Sequence, residues 1–192
     1  MKQKILLTAE IAVTTLLIVI FQWGGSLLPD PLTGQLVAGI FTNCVLTLRF
    51  LHSVGISMAV AIIAPVAVCI LGSPAASVTA VPYIAGNLCY VLLLGLISGK
   101  HPCPFWQQSA AVVSAAGTKF LVMYLLAVKV ICATDHQAFI EPAIRKTIPS
   151  IFAWPQLVSA LTGGFLALIL FPVIKKTLQS HVTYSISKAL SV

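Results

Sequence analysis

SIFAWPQLVSALTGGFLALILFPVIKK, residues 150–176, is the stretch that decides the fold of this chain. It is long enough to cross a membrane, because about 20 apolar residues at 1.5 Å each span the hydrocarbon core. Gly163 and Gly164 near its middle allow another helix to approach closely. Gln156, next to Pro155, puts a polar amide where lipid would penalise it. A helix that only crosses the membrane has no use for this amide, whereas a helix that closes a binding pocket does.

The composition of all 192 residues points to the same class of protein. Of these residues 59% are hydrophobic and 8% are charged, whereas a soluble domain carries about a quarter charged residues. An integral membrane protein is therefore expected. The net charge of +7 invites a nucleic-acid interpretation. However, the basic residues sit at the ends of apolar segments and form no basic face with aromatics, so no nucleic-acid partner is expected.

Five more apolar runs precede the stretch 150–176, and together they predict an all-α integral membrane protein with a compact bundle of six transmembrane helices. The six runs are 5–23, 35–51, 54–71, 80–98, 105–132 and 150–176. Residues 1–176 are expected to form the six-helix transmembrane domain, and residues 177–192 a short cytoplasmic tail. His52-Ser53 joins the second and third runs so tightly that they should form an antiparallel hairpin. The polar link 133–149 is the longest, and it is either a lid or a simple connection.

The distribution of lysine and arginine predicts the orientation. With the N-terminus in the cytoplasm and six crossings, seven basic residues fall inside: Lys2, Lys4, Arg49, Lys100, Lys175, Lys176 and Lys188. Arg145 and Lys146 fall outside, with Lys129 near the outer end of the fifth run. Both termini are therefore expected in the cytoplasm.

One lysine, Lys119, lies near the middle of the fifth run. An ionisable residue at that depth costs several kcal/mol unless it is paired or solvated, so it marks a candidate functional site. Three interpretations stay open. Lys119 faces a substrate or a water-lined cavity, it pairs with Glu10, the only carboxylate inside an apolar run, or it snorkels to the membrane surface.

Other polar and aromatic residues of the apolar runs are candidates for the same site. Asn87 lies one turn after Tyr83 on the same face of the fourth run, as a ligand contact or as a bond to another helix. Asn43 in the second run is interpreted as such an interhelical contact. Tyr83 and Trp154 are either interfacial aromatics or pocket residues at the outer ends of their helices. Tyr124, five residues after the lysine, lies about a third of a turn off its face.

A patch of small residues, Thr8, Ala9 and Ala12, lies near the cytoplasmic end of the first run. Small residues let helices pack closely where no hydrophobic force drives association. The patch serves either packing within the chain or docking of a partner membrane subunit.

Sequence signatures of catalysis are missing from the chain. There is no phosphate-binding loop of the GxxxxGK[ST] type, no HExxH and no GxSxG. The five cysteines form no CxxC pair and have no histidine at ligand spacing, so neither a metal nor another cofactor is expected. The sequence favours a binder or carrier over an enzyme.

The motifs together resemble a known family of membrane proteins. Six short helices with both termini inside, GNLCY at 86–90, a lysine in the fifth helix, and the closing WPQLVSALTGGFLALILFPVIKK are similar to the substrate-binding S component of an energy-coupling factor (ECF) transporter. The resemblance extends from LTA at 7–9 to Lys176, and the WPQLV…GG…P…KK pattern is its most specific part. It implies a bacterial plasma membrane protein that binds a vitamin or related micronutrient near the outer face. It also implies partners, namely a transmembrane coupling subunit and two cytoplasmic ATPase subunits that drive inward delivery.

The resemblance further implies where substrate and partner bind. In that family the pocket is built mainly from helices four to six and the outer loop between helices one and two, which here is 25–34. The candidate substrate-binding residues are Tyr83, Asn87, Lys119, Tyr124, Trp154 and Gln156. The family's coupling contact is a small-xxx-small face on the first helix. Thr8-xxx-Ala12 is the nearest match, and Glu10 and Ile11 between them depart from the usual alanine-rich pattern.

Two alternative functions stay open from the sequence. One is a stand-alone small transporter or channel, which needs a polar path through the membrane. The other is a ligand-free scaffold subunit, which predicts that Glu10 satisfies Lys119 and that no outer pocket exists.

Overall fold

Helices account for nearly all of the backbone in the computed structural model, which describes residues 2–71, 74–99, 103–131 and 142–190. Side chains are described over 4–71, 79–99, 103–131 and 147–177. The elements are α1 (Lys2–Ser26), α2 (Pro31–His52), α3 (Val54–Leu71), α4 (Pro74–Ser98), α5 (Phe105–Tyr124), a π-helical continuation of α5 (Leu125–Ile131), α6 (Pro142–Ile151) and α7 (Trp154–Leu190).

Six segments of the described chain are long and apolar enough to cross a membrane. They are Lys4–Ser26, Pro31–His52, Val54–Leu71, Thr79–Ser98, Phe105–Ile131 and Thr147–Thr177. The predicted all-helical chain with six candidate spans is thus confirmed, as expected of a multi-pass membrane protein. Capping chemistry moves some helix ends beyond the apolar runs. For example, α2 begins at Pro31 because the carboxylate of Asp30 accepts hydrogen bonds from the N–H groups of Leu32 and Thr33.

Close helix packing in the bundle depends on the two adjacent glycines of α7. A Cβ atom at Gly163 would lie 2.8 Å from the backbone nitrogen of Cys44 and would also meet the carbonyl oxygen of Ile40. At Gly164 it would lie 2.5 Å from a methyl group of Val112. The close approach predicted for these glycines is therefore confirmed, and it brings α7 against both α2 and α5.

Two connections between helices can be compared with the sequence analysis. The tight α2–α3 turn at Ser53 is confirmed, since α3 begins at Val54. The link 133–149 is not wholly irregular, because α6 forms from Pro142 onward, while residues 132–141 lie outside the described chain. The helical backbone of α7 continues past residue 176 to Leu190.

Besides a small apolar cluster of Met123, Ala127, Ile148 and Phe152, the described residues form one main apolar core, which lies mostly in one half of the bundle. Most of its buried residues come from the second half of α2, the first half of α3, the second half of α4 and the first half of α5, and α1 and α7 add a few. This half, which carries the α2–α3 turn, is called the core end. The opposite half, next to residues 27–30 between α1 and α2, is called the cavity end.

Candidate functional site

A cavity of about 670 Å³ occupies the cavity end of the bundle. This volume lies within the range of small-molecule pockets, about 300–1,000 Å³. Its wall takes residues from every long helix and from α6: 18–26 of α1, 35–43 of α2, 64–71 of α3, 79–87 of α4, 119 of α5, 147–152 of α6 and the turn after it, and 156 of α7. Because the helices alternate in direction, these segments are all the halves that lie away from the core end.

Lys119 lies at the bottom of this cavity and is only 2% exposed. Its Nζ atom donates hydrogen bonds of 2.6 Å to Oδ1 of Asn43 and 2.6 Å to Oδ1 of Asn87. The amide nitrogen of Asn43 donates to the carbonyl oxygen of Gly39 at 2.8 Å, which leaves its side-chain oxygen for the lysine. The ring centre of Tyr90 is 5.6 Å from Nζ, within cation–π range. Lys119, Asn43 and Asn87 are called the polar floor.

Of the three interpretations of Lys119 left open by the sequence, pairing with Glu10 is wrong. Oε2 of Glu10 lies 3.5 Å from Nη1 of Arg49 and 4.0 Å from Nε2 of His52, at the core end. The burial of Lys119 also argues against snorkelling, because its ammonium does not reach the surface. Among the side chains described, no carboxylate approaches Lys119 within ion-pair distance. The acceptors of its two hydrogen bonds are the neutral amide oxygens of Asn43 and Asn87.

A second polar cluster lies nearer the open side of the cavity. The hydroxyl of Tyr83 donates to Oε1 of Gln35 at 3.1 Å, which joins α4 to α2. The amide of Gln156 on α7 donates to the carbonyl oxygen of Ile151 at 3.2 Å and lies 3.5 Å from the Tyr83 oxygen. The ring of Phe152 packs 5.1 Å from that of Tyr83. Gln35, Tyr83 and Gln156 are called the polar rim, and the rim carries hydrogen-bonding groups without charge.

The six residues predicted to bind substrate divide into two groups. Tyr83, Asn87, Lys119 and Gln156 line the cavity together. The structure does not bring the other two into the described wall. Tyr124 follows Lys119 by five residues, which turns it about 140° around the helix, and its ring packs 6.0 Å from Phe120. Trp154 is 55% exposed at the start of α7, as is usual for an interfacial aromatic.

Several polar residues of the wall were not assigned to the site by sequence reasoning. Gln22 donates to Thr42 at 3.0 Å, and both line the cavity with Gln35 and Asn43. Asn43 does make the interhelical contact expected of it, but the contact is to Lys119 in the floor. The signal that could have found α2 is the spacing of Gln35, Gly39 and Asn43, because residues four apart lie on one helix face.

The small-residue patch on α1 is exposed. Thr8, Ala9 and Ala12 all lie on the surface, and the Thr8 hydroxyl donates to the carbonyl oxygen of Lys4 at 2.9 Å. Packing within the chain is therefore the wrong interpretation of this patch. Large apolar side chains of the same helix are exposed as well, Leu6 at 64% and Val13 at 62%. This surface of α1 is therefore apolar and open to contact from outside the chain.

Comparisons of the chain with protein-family models, with curated proteins and with solved structures gave no match. Function then rests on the chemistry of the cavity and on the exposed face of α1.

Proposed function

We propose that the protein is the substrate-binding membrane subunit of an ECF-type importer. In this role it captures a vitamin or related micronutrient at the outer face of a bacterial plasma membrane. A transmembrane coupling subunit and two cytoplasmic ATPase subunits then drive inward delivery. The proposal assigns no catalytic residue and no cofactor.

The observation that carries this proposal is the cavity, which ends in a polar floor above a packed apolar core. Lys119, Asn43 and Asn87 are buried at the bottom, and beyond them come buried apolar residues such as Phe50 and Leu94. A concave, mostly apolar pocket with a few convergent polar groups is the usual form of a small-molecule site. A channel would need polar residues along the whole path. A ligand-free scaffold predicts that Glu10 pairs with Lys119 and that no pocket exists. Glu10 instead lies against Arg49, and the cavity is present.

The distribution of charge supports one orientation of the cavity. Lys4, Arg49, Lys175 and Lys176 belong to the core end, because α1 begins there, α2 ends there and α7 runs toward it. Positive side chains near membrane spans favour the cytoplasmic side. This supports cytoplasmic termini and a cavity on the outer side, as capture from outside the cell requires.

The exposed patch of Thr8, Ala9 and Ala12 supports docking to the coupling subunit. Small side chains allow close backbone approach between helices, and this patch is exposed on the surface of the chain. Because Glu10 and Ile11 lie between these residues in sequence, the contact depends on the face they share and not on a continuous alanine stretch.

The test is native mass spectrometry on the protein purified alone in mild detergent. We expect a stoichiometric small molecule on the wild type and on Lys129→Met, whose lysine is exposed and outside the cavity wall. We expect its loss from Lys119→Met and from Gln156→Ala. An empty wild-type protein that a vitamin panel does not stabilise would contradict the proposal. Solute flux through liposomes containing this chain alone would favour the channel.

A further inference from the structure

The charge of the described cavity is unbalanced. Lys119 is the only charged side chain among its lining residues, and the other polar members are amides, hydroxyls and an indole. Glu10, the only carboxylate inside an apolar run of the sequence, lies against Arg49 at the core end. An ammonium buried near mid-membrane without a counter-ion is costly, so the site favours an occupant that supplies the missing negative charge.

The geometry of the polar floor leaves room for one strong acceptor. An ammonium group has three N–H donors, and asparagine oxygens take two of them at 2.6 Å. The face of Tyr90, 5.6 Å away, compensates the charge only weakly compared with an anion. The third donor is therefore the recognition group, while Asn43 and Asn87 hold the lysine in position.

The amount of charge in the site also discriminates between anions. One lysine balances one negative charge, and the polar rim of Gln35, Tyr83 and Gln156 adds donors and acceptors without charge. A phosphate ester, with about two negative charges at neutral pH, would leave an uncompensated charge in a low-dielectric site. A carboxylate matches the floor.

The separation of floor and rim sets the length of the occupant. Tyr83 and Asn87 are four residues apart on α4, which is about 6 Å along the axis, and Gln35 and Asn43 are eight apart on α2, about 12 Å. A molecule that reaches both clusters needs its anionic end and its neutral polar end separated by a distance in this range.

We propose that the natural ligand is a monocarboxylate: its carboxylate binds Lys119, and a neutral polar group at its other end hydrogen-bonds the rim. This rests on the proposed function and names the chemical class of its substrate. Lys119 is the residue that selects for charge, and Gln35, Tyr83 and Gln156 select the neutral end.

The experiment measures thermal stabilisation and binding affinity of the full chain in detergent with matched pairs of probes. Each acid is compared with a neutral analogue: nicotinate with nicotinamide, biotin with biotinamide, and pantothenate with pantothenol. Pyridoxal 5′-phosphate and pyridoxal test a dianion against its neutral parent. The molecule that co-purifies with the wild type is identified by mass and added to the panel with its methyl ester or amide.

Variants of the floor separate recognition from folding. Asn87→Asp places a carboxylate where the Oδ1 atom now accepts from Lys119, so the variant keeps the contact and supplies the counter-ion internally. We expect Asn87→Asp to weaken binding of the acid roughly 10- to 100-fold, since the new carboxylate balances the charge of Lys119 and repels the ligand's carboxylate, and to leave the neutral analogue little changed. Lys119→Met should do the same, and Lys129→Met should bind like the wild type.

The outcomes distinguish this inference from the proposed function. An acid that binds better than its neutral partner, with the preference lost in Asn87→Asp, supports both. A ligand that is neutral or dianionic, or an acid that binds no better than its amide, overturns the inference while the binding function stands. A protein that neither carries nor binds any member of the panel overturns both.

Discussion

The ammonium of Lys119 on α5 donates a 2.6 Å hydrogen bond to the side-chain oxygen of Asn87 on α4. A second bond of equal length reaches Asn43 on α2, so one side chain ties three helices together at the bottom of the cavity. The residues that define the site are therefore also structural.

The first prediction concerns the stability supplied by this floor. Asn43→Leu removes one acceptor and leaves a buried donor unsatisfied, which should lower the free energy of unfolding by about 1–3 kcal/mol. The triple change Asn43→Leu, Asn87→Leu and Lys119→Met removes every partner and should recover part of that loss. Thermal unfolding of detergent-solubilised protein measures both. A triple variant less stable than the single one would contradict the prediction.

The second prediction concerns Glu10. Because its partner is Arg49 and the two side chains are 38% and 29% exposed, Glu10→Gln should cost less than about 1 kcal/mol of stability. Ligand affinity should stay at the wild-type value, since Lys119 does not depend on this carboxylate. Ligand titrations of Glu10→Gln and of Asn87→Leu check this prediction. Equal losses of ligand affinity in the two variants would support a Lys119–Glu10 pair.

The third prediction compares Gly163 of α7 with Gly117 of α5. Gly163→Ala pushes a methyl group against the backbone of α2, which cannot yield without separating the helices, so about 1–3 kcal/mol should be lost. Gly117→Ala on α5 meets nothing within 4 Å and should gain about 0.5–1 kcal/mol through lower backbone entropy in the unfolded chain. The two variants are expected to shift the unfolding midpoint in opposite directions from the wild type. Equal effects would argue against close packing at Gly163.

The fourth prediction concerns the exposed patch on α1. Ala12→Trp should leave the unfolding midpoint and ligand affinity unchanged, because Ala12 is exposed on the surface of the chain. It should abolish co-purification with the coupling subunit. Leu17→Trp is the matched control: Leu17 is 40% exposed and about 140° around the helix from Ala12, and this variant should still assemble. Loss of assembly in both variants would indicate a general defect.

The fifth prediction uses the cap of α2. Hydrogen bonds from the side chain and the backbone of Thr33 lower the pKa of Asp30 below its ordinary value of 3.8. Its contribution to stability is therefore present above about pH 4 and is lost as the pH falls through the lower folded-state pKa. The difference in unfolding midpoint between wild type and Asp30→Ala should be larger at pH 7 than at pH 2. Asp30→Asn should keep the helix cap at both pH values. A difference independent of pH would contradict this.

The sequence was sufficient for the features that depend on local patterns. Apolar run lengths predicted six spans, His52-Ser53 predicted the α2–α3 hairpin, and Gly163-Gly164 predicted close helix packing. Each follows from residues adjacent in the chain and from the requirements of a bilayer. The depth of Lys119 also identified it as a site candidate without any knowledge of its neighbours.

The composition of the site could not be read from the sequence, because it depends on how distant helices pack. Asn43 and Lys119 are 76 residues apart, and nothing local indicates that α2 faces α5. The same limit left Glu10 open as a partner of Lys119, since it was the only carboxylate inside an apolar run. Trp154 and Tyr124 were selected by residue type and proximity in sequence, while the rotation of each helix decides which side chains reach the cavity.

The cavity has a consequence for solution conditions. At about 30 Å³ per molecule of liquid water, a space of about 670 Å³ corresponds to roughly 20 waters. A ligand that fills it returns many of these waters to bulk solvent. The binding equilibrium should therefore respond to osmotic pressure: an excluded osmolyte that lowers water activity should tighten binding, in proportion to the number of waters released.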